Sequence, residues 1–334
     1  MSVALFTLGG TIGMAGHSSD QRRIGVVNRL TGADLIAAVP GLGKTGVKLD
    51  VRDVQAVPSP NLTFAHILDL VESASRAVAD GAAGVVVTQG TDTLEETAFL
   101  VDLLWPHAEP FVLTGAMRNP TLAGADGPAN LLAAVRVALS DPARGLGALV
   151  VLNDQVHAAR WVRKTHSSST AAFGSPDAGP VGHLVEERVR MVMAPPPRVR
   201  LFESRPVDRE RLDATRVALV PVVLDDDGLL LDGLAETHQG LVVAGFGVGH
   251  VPSALAPVLG ALAERMPVVL TSRSGAGSVF RHTYGAVGSE TDLRRRGLVD
   301  AGMLDPYKAR VLLRLLLAAG AARDEVTSAF ERLG

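Results

Sequence analysis

The chain has 334 residues, 47% hydrophobic and 20% charged, with a formal net charge of −3. That balance suits one large or two medium folded domains and argues against extensive disorder. Acidic and basic residues are interspersed, and Arg294-Arg295-Arg296 sits beside acidic residues. A solvated face is therefore expected there, with no footprint for nucleic acid or a membrane surface. Cysteine is absent, which excludes disulfides, thiolate metal sites and cysteine nucleophiles.

In chain order, continuous apolar runs predict buried strands at residues 3–7, 85–88, 111–114 and 148–152. Between them, apolar positions at helical spacing predict helices at 62–79, 94–105 and 128–139. The alternation implies right-handed crossovers and a parallel sheet covered on both faces. A second set has strands at 217–223, 240–244 and 268–271 and helices near 253–264 and 306–319. Between the sets, Ala194-Pro195-Pro196-Pro197 cannot sit in a helix or a central strand. The expected organisation is two α/β domains. A large N-terminal domain (1–193) has a mostly parallel sheet covered by helices. A linker (194–212) leads to a smaller C-terminal domain with a parallel sheet (213–334). The N-terminus lacks the basic start and long apolar core of a secretory signal, and residues 311–322 are too short and interrupted for a membrane span. A soluble, cytoplasmic protein is expected.

In an open parallel sheet, ligands bind beyond the carboxyl ends of the strands. After the first strand comes Gly9-Gly10-Thr11-Ile12, which allows a tight turn and close approach of backbone to ligand. It lacks the Gly-x-Gly-x-x-Gly spacing of a dinucleotide site. After another strand comes Gln89-Gly90-Thr91-Asp92-Thr93-Leu94-Glu95-Glu96-Thr97. Asp92 or Thr93 suits a helix N-cap, with Glu95 and Glu96 favourable in the first turn. That reading leaves Thr91-Asp92-Thr93 at a strand's carboxyl end unexplained. A hydroxyl beside a carboxylate there can supply an activated nucleophile, with free N–H groups for an oxyanion. Gly115-Ala116-Met117-Arg118, then Ala125-Asp126-Gly127-Pro128, read largely as turn and helix-start chemistry. Beyond Asn153-Asp154 lies Lys164. Lysine occurs only at positions 44, 48, 164 and 308 in this arginine-rich chain. Only a lysine can readily be held as a neutral amine and act as a base.

Taken together, these segments resemble the bacterial-type L-asparaginase family, in order and rough spacing. The C-terminal Pro306-Tyr307-Lys308-Ala309-Arg310-Val311-Leu312 is similar to that family's last conserved segment, so the resemblance covers nearly the whole chain. It implies an amidohydrolase that converts L-asparagine, or L-glutamine, to the acid and ammonia through a threonine acyl-enzyme. Thr11 matches the nucleophile. Thr91, Asp92 and Lys164 match a proton-relaying group, with Asp92 also gripping the substrate α-amino group. The backbone at Thr91 and Ala116 matches the oxyanion region, and Ser59 the serine that binds the α-carboxylate. Glu290 falls where a glutamate reaches a neighbouring subunit's site, which implies a homo-oligomer: at least a dimer, usually a tetramer of intimate dimers. No organic cofactor is expected. The nine histidines are scattered without ligand spacing, so no metal is expected.

Three departures bear on substrate. Pro60 stands where many relatives have glutamine, and His250 where asparagine is common. The segment 13–28, expected to form a lid, contains no tyrosine, although relatives commonly place one there. The chain's tyrosines are Tyr284 and Tyr307, and Tyr284 lies just before Glu290. Two rival readings are an amino-acid-binding sensor and the tRNA-dependent amidotransferase subunit that shares this core. Binding alone does not require two threonines and a lysine. The amidotransferase reading expects an additional N-terminal domain, whereas the core here begins at residue 3.

Overall fold

The structure, a computed structural model, describes residues 1–15, 27–28 and 30–334; most of the expected lid lies outside the described residues. The chain separates into two compact units, Met1–Arg198 and Val199–Gly334.

The first unit opens with β1 (Ser2–Thr7), the short pair β2 (Met14–Ala15) and β3 (Val27–Asn28), then α1 (Gly32–Ala37) and β4 (Lys48–Asp53). It continues through α2 (Phe64–Ala79), β5 (Gly84–Thr88), α3 (Leu94–Leu104), β6 (Phe111–Thr114), α4 (Gly127–Ala138) and β7 (Ala148–Leu152). Five short strands close it: β8 (Gln155–Ala158), β9 (Arg163–Lys164), β10 (Phe173–Gly174), β11 (Gly182–Val185) and β12 (Arg188–Met191).

Eight of these strands form one sheet in the order β12-β11-β8-β7-β6-β5-β1-β4. From β7 to β4 every pairing is parallel. The strands β5, β6 and β7 are buried along their whole length, which is why they read as unbroken apolar runs. At the other edge β8, β11 and β12 add antiparallel strands that the periodicity did not predict. β4 also escaped notice: Lys48-Leu49-Asp50-Val51-Arg52-Asp53 alternates polar with apolar because it is a half-exposed edge strand. Register aligns the carboxyl ends. Thr7 pairs with Asp53 on one side and Thr88 on the other, and Thr88 pairs with Thr114.

The helix α2 starts at Phe64 because Thr63 caps it, its side chain accepting from His66 N while His66 Nδ1 accepts from Thr63 N. It buries Ile67, Leu68, Leu70, Val71 and Ala74 at helical spacing. Each fully buried large apolar side chain stabilises the fold by roughly 1.5–3 kcal/mol.

The second unit contains α5 (Arg209–Ala214), β13 (Val217–Pro221), α6 (Leu234–Thr237), β14 (Gly240–Gly245), α7 (Leu255–Arg265) and β15 (Val268–Ser272). It ends with α8 (Glu290–Arg295), β16 (Val299–Asp300), α9 (Pro306–Ala318) and α10 (Arg323–Leu333). Its four strands form a parallel sheet in sequence order. Asp305 caps α9 through Tyr307 N and Lys308 N, ahead of Pro306 at the first helical position. Among the described residues no helix is long and apolar enough to cross a membrane.

Candidate active site

The turn after β1 is built by two glycines in the left-handed region, Gly9 and Gly10, each with φ of 91°. Only glycine accepts that conformation without steric cost. Gly10 has a second constraint: a Cβ on it would lie 2.2 Å from Gly90 N, so the turns after β1 and β5 touch backbone to backbone. A Cβ on Gly90 would in turn lie 2.8 Å from Ser59 Oγ. Three segments distant in sequence thus meet through missing side chains. Thr11, the first residue of a 3-10 turn that begins at Gly10, stands directly beside this junction.

Thr91 and Asp92 begin the 3-10 turn that runs into α3. Thr93 occupies the N-cap position, but its side chain does not cap the helix. It donates to Ser59 O at 3.1 Å and accepts from Gln89 Nε2 at 3.1 Å, so the expected cap is a tether between two post-strand segments. Lys164 comes from a separate two-stranded sheet, on β9, which pairs with β10 as a hairpin. Its Nζ donates to Thr91 Oγ1 at 3.0 Å and to Asp92 Oδ1 at 2.6 Å. Thr91 is buried, Lys164 is nearly so, and the Asp92 side chain is 65% exposed. One cation is therefore divided between a buried hydroxyl and a carboxylate open to a ligand.

Ser59 is 2% exposed, and its hydroxyl has no hydrogen-bond partner among the described residues. An unpaired buried polar group costs about 1–3 kcal/mol, which a ligand atom would recover. Ala116 is buried in the turn after β6, where Met117 N and Arg118 N both donate to the Asp126 carboxylate. Gly115 and Gly127 complete the enclosure: Cβ atoms there would lie 3.1 Å from Thr91 Cγ2 and 3.4 Å from Ala116 Cβ. A cavity of about 360 Å³ lies beside the first turn, lined by Thr7, Gly9, Ile12, Gly13, Asp53 and Gln55 among others.

Comparison with known proteins decides the family. Residues 2–197 match the asparaginase N-terminal domain family, and residues 216–330 match the glutaminase/asparaginase C-terminal domain family. A probable L-asparaginase of Deinococcus radiodurans is 38% identical, the match covering 88% of each chain. The L-asparaginase of Bacillus licheniformis is 33% identical over 95% of each chain. The crystal structure of a probable cytoplasmic L-asparaginase from Campylobacter jejuni is similar at a TM-score of 0.85, with 31% identity and 98% of each chain covered. The chain belongs to the asparaginase family.

Within this asparaginase, Thr11, Ser59, Thr91, Asp92, Ala116 and Lys164 all fall in the N-terminal unit, at or beside the carboxyl ends of its strands. Glu290 falls in the C-terminal unit, fully buried at the start of α8. One carboxylate oxygen accepts from Thr283 N at 2.9 Å and Tyr284 N at 2.7 Å. The other lies 3.2 Å from His250 Nε2. Burial alone would raise this carboxyl, but the bonds from Tyr284, Thr283 and His250 outweigh it and hold the group below its ordinary value. Tyr284 packs edge-on against His250, and both remain partly exposed.

Two residues that support the candidate site went unread in the sequence. Glu95, assigned above to the helix dipole, is buried, and its Oε2 accepts from Lys164 N at 2.7 Å. Asn130 bridges three segments, donating to Gly115 O and Asp126 Oδ2 at 3.0 Å each and accepting from Asn153 N at 3.0 Å. Its signal was an amide inside the apolar face of α4, where a buried polar group demands partners.

Proposed function

We propose that this asparaginase hydrolyses the side-chain amide of L-asparagine to L-aspartate and ammonia through an ester on Thr11. Amide hydrolysis needs a nucleophile, a group to take its proton, donors for the tetrahedral oxyanion and an acid for the leaving ammonia. Thr11 is the nucleophile in this reading. Thr91, Lys164 and Asp92 move the proton, N–H groups at Thr91 and Ala116 face the oxyanion, and water then hydrolyses the ester. The exposed Asp92 carboxylate holds the substrate ammonium, and the unpaired Ser59 hydroxyl holds its α-carboxylate. The observation that carries the reading is Lys164 Nζ within 3.0 Å of Thr91 Oγ1 and 2.6 Å of Asp92 Oδ1, beside the turn that presents Thr11.

The order of asparagine over glutamine belongs to the same proposal. One methylene changes binding by only about 1–3 kcal/mol, so turnover on both amides is expected, faster on asparagine. Ammonia release from each substrate, by wild type and Thr11→Ala, tests this reading. Ammonia from wild type alone supports it, and equal release from both proteins contradicts it. A homo-oligomer, at least a dimer, in which Glu290 and its neighbours serve a partner's site is also proposed. The support is the exposed Tyr284 and His250 that Glu290 holds. Cytoplasmic action is proposed as well, although relatives are named from both cytoplasm and periplasm. Cell fractionation tests that placement.

A further inference from the structure

Lys164 can serve as a proton carrier only if its hairpin is held still, and β9 and β10 offer just two paired residues each. One further pair extends the hairpin toward its loop, Thr165 N and Oγ1 both donating to Ala172 O. Directly beyond β10 stands Ser175, 6% exposed, and across from it His157 on β8, 1% exposed. Ser175 Oγ lies 2.9 Å from His157 Nδ1, and His157 Nε2 lies 3.1 Å from Gln155 Oε1. The Gln155 carbonyl oxygen can only accept, so Nε2 carries the ring proton. Nδ1 then presents its lone pair and Ser175 donates. His157 is kept neutral by its burial, with His183 adding to the effect; its pKa is pushed down to about 4, so this arrangement persists at neutral pH.

A buried imidazole and hydroxyl cost free energy unless each is satisfied, and an apolar pair would fill the same space without that condition. What the polar pair adds is direction: one position of the β10 end relative to β8 satisfies both groups. β8 belongs to the main sheet and pairs with β7 along its whole length. The bond therefore ties the loose hairpin to the rigid sheet on the side away from Glu95, which holds Lys164 N.

We infer that His157 and Ser175 are positioning residues for Lys164, fixing the hairpin so that its ammonium meets Thr91 and Asp92. This rests on the role proposed above for Lys164. Neither residue touches the reacting atoms. A displaced catalytic group costs rate with little loss of substrate affinity.

The test compares Ser175→Ala, Ser175→Thr, His157→Asn and Lys164→Met. In each, kcat is expressed per aspartate-binding site counted by titration calorimetry, so that unfolded protein does not enter. Ser175→Ala is expected to lower kcat about tenfold with KM within about twofold. Ser175→Thr, which keeps the hydroxyl, is expected to restore kcat to within about twofold. If Ser175→Ala does not fold, His157→Asn decides, since its amide oxygen replaces Nδ1 as an acceptor: kcat closer to wild type than to Lys164→Met supports the inference. Wild-type kcat per site in Ser175→Ala, or a loss in Ser175→Thr as large as in Ser175→Ala, overturns it. Lys164→Met separates the two readings. If it is fully active, the role of Lys164 falls, whatever Ser175 does. If it is inactive while Ser175→Ala is unimpaired, only the positioning inference falls.

Discussion

At the scale of single residues, the site depends on what glycines omit and what one lysine reaches. Gly10 combines positive φ with a Cβ position already filled by Gly90 N and Cα. Gly10→Ala should therefore destabilise by roughly 4 kcal/mol or more, a loss reserved for strained or overpacked backbone. A denaturant midpoint within error of wild type would show that the two turns can separate. Lys164 was singled out because lysine is scarce, and scarcity alone is a weak argument. Lys308 is drawn from the same four lysines and is wholly buried, and its Nζ pairs with Asp305 at the cap of α9. What distinguishes Lys164 is the hydroxyl and the exposed carboxylate it meets, which composition cannot show. Lys164→Met and Thr91→Ala should each lower turnover by about 10²–10⁴-fold, the range for a lost proton-transfer group. Circular dichroism and melting should stay near wild type, because Thr91 lies in the turn beyond β5 and Lys164 in a two-residue strand outside the main sheet. Loss of the folded state in both would mark them as structural.

At the scale of elements, most of the parallel strands and the longer helices between them were legible because each buries a continuous face with one period, whereas the half-exposed parallel strand β4 was not. The antiparallel strands β8, β11 and β12 were not, being only four residues each, with β11 and β12 also partly exposed. The Thr93 cap was misread because a helix start and a tertiary tether call for the same residue type. The β8–β10 junction carries a pH prediction. His157 has an ordinary value of 6.5 and sits at about 4 when folded. As pH falls below 6.5 the unfolded chain takes up a proton that the folded chain refuses until about pH 4. Stability should therefore decline across that window, by at most about 3 kcal/mol from this group, with no contribution above it. Denaturant unfolding at a series of pH values should show a shallower acid decline for His157→Gln than for wild type. Parallel curves would place the acid sensitivity elsewhere.

At the scale of the whole molecule, family and two-unit architecture follow from motifs spread along nearly the full chain. The proposed assembly entered the sequence reading only through the resemblance, since no composition marks a subunit contact. Glu290 illustrates why. Its carboxylate is enclosed by Thr283, Tyr284 and His250, so any service to a partner passes through the exposed residues it holds or requires those bonds to open. Mixing Thr11→Ala with Glu290→Ala, after dissociation and reassembly, discriminates. In a shared site, mixed dimers contain one site with both lesions and one with neither, so activity should return. If mixed dimers form from two inactive parents and none returns, Glu290 acts within its own chain.

The central claim is covalent, and it is tested by trapping. Asparagine mixed with the enzyme and quenched in acid within the first turnovers should leave an aspartyl ester, located by peptide mass spectrometry. The account predicts that ester on the peptide carrying Thr11, formed as ammonia is released and absent from Thr11→Ala. An ester on Thr91 or another residue, or undiminished turnover by Thr11→Ala, would contradict it.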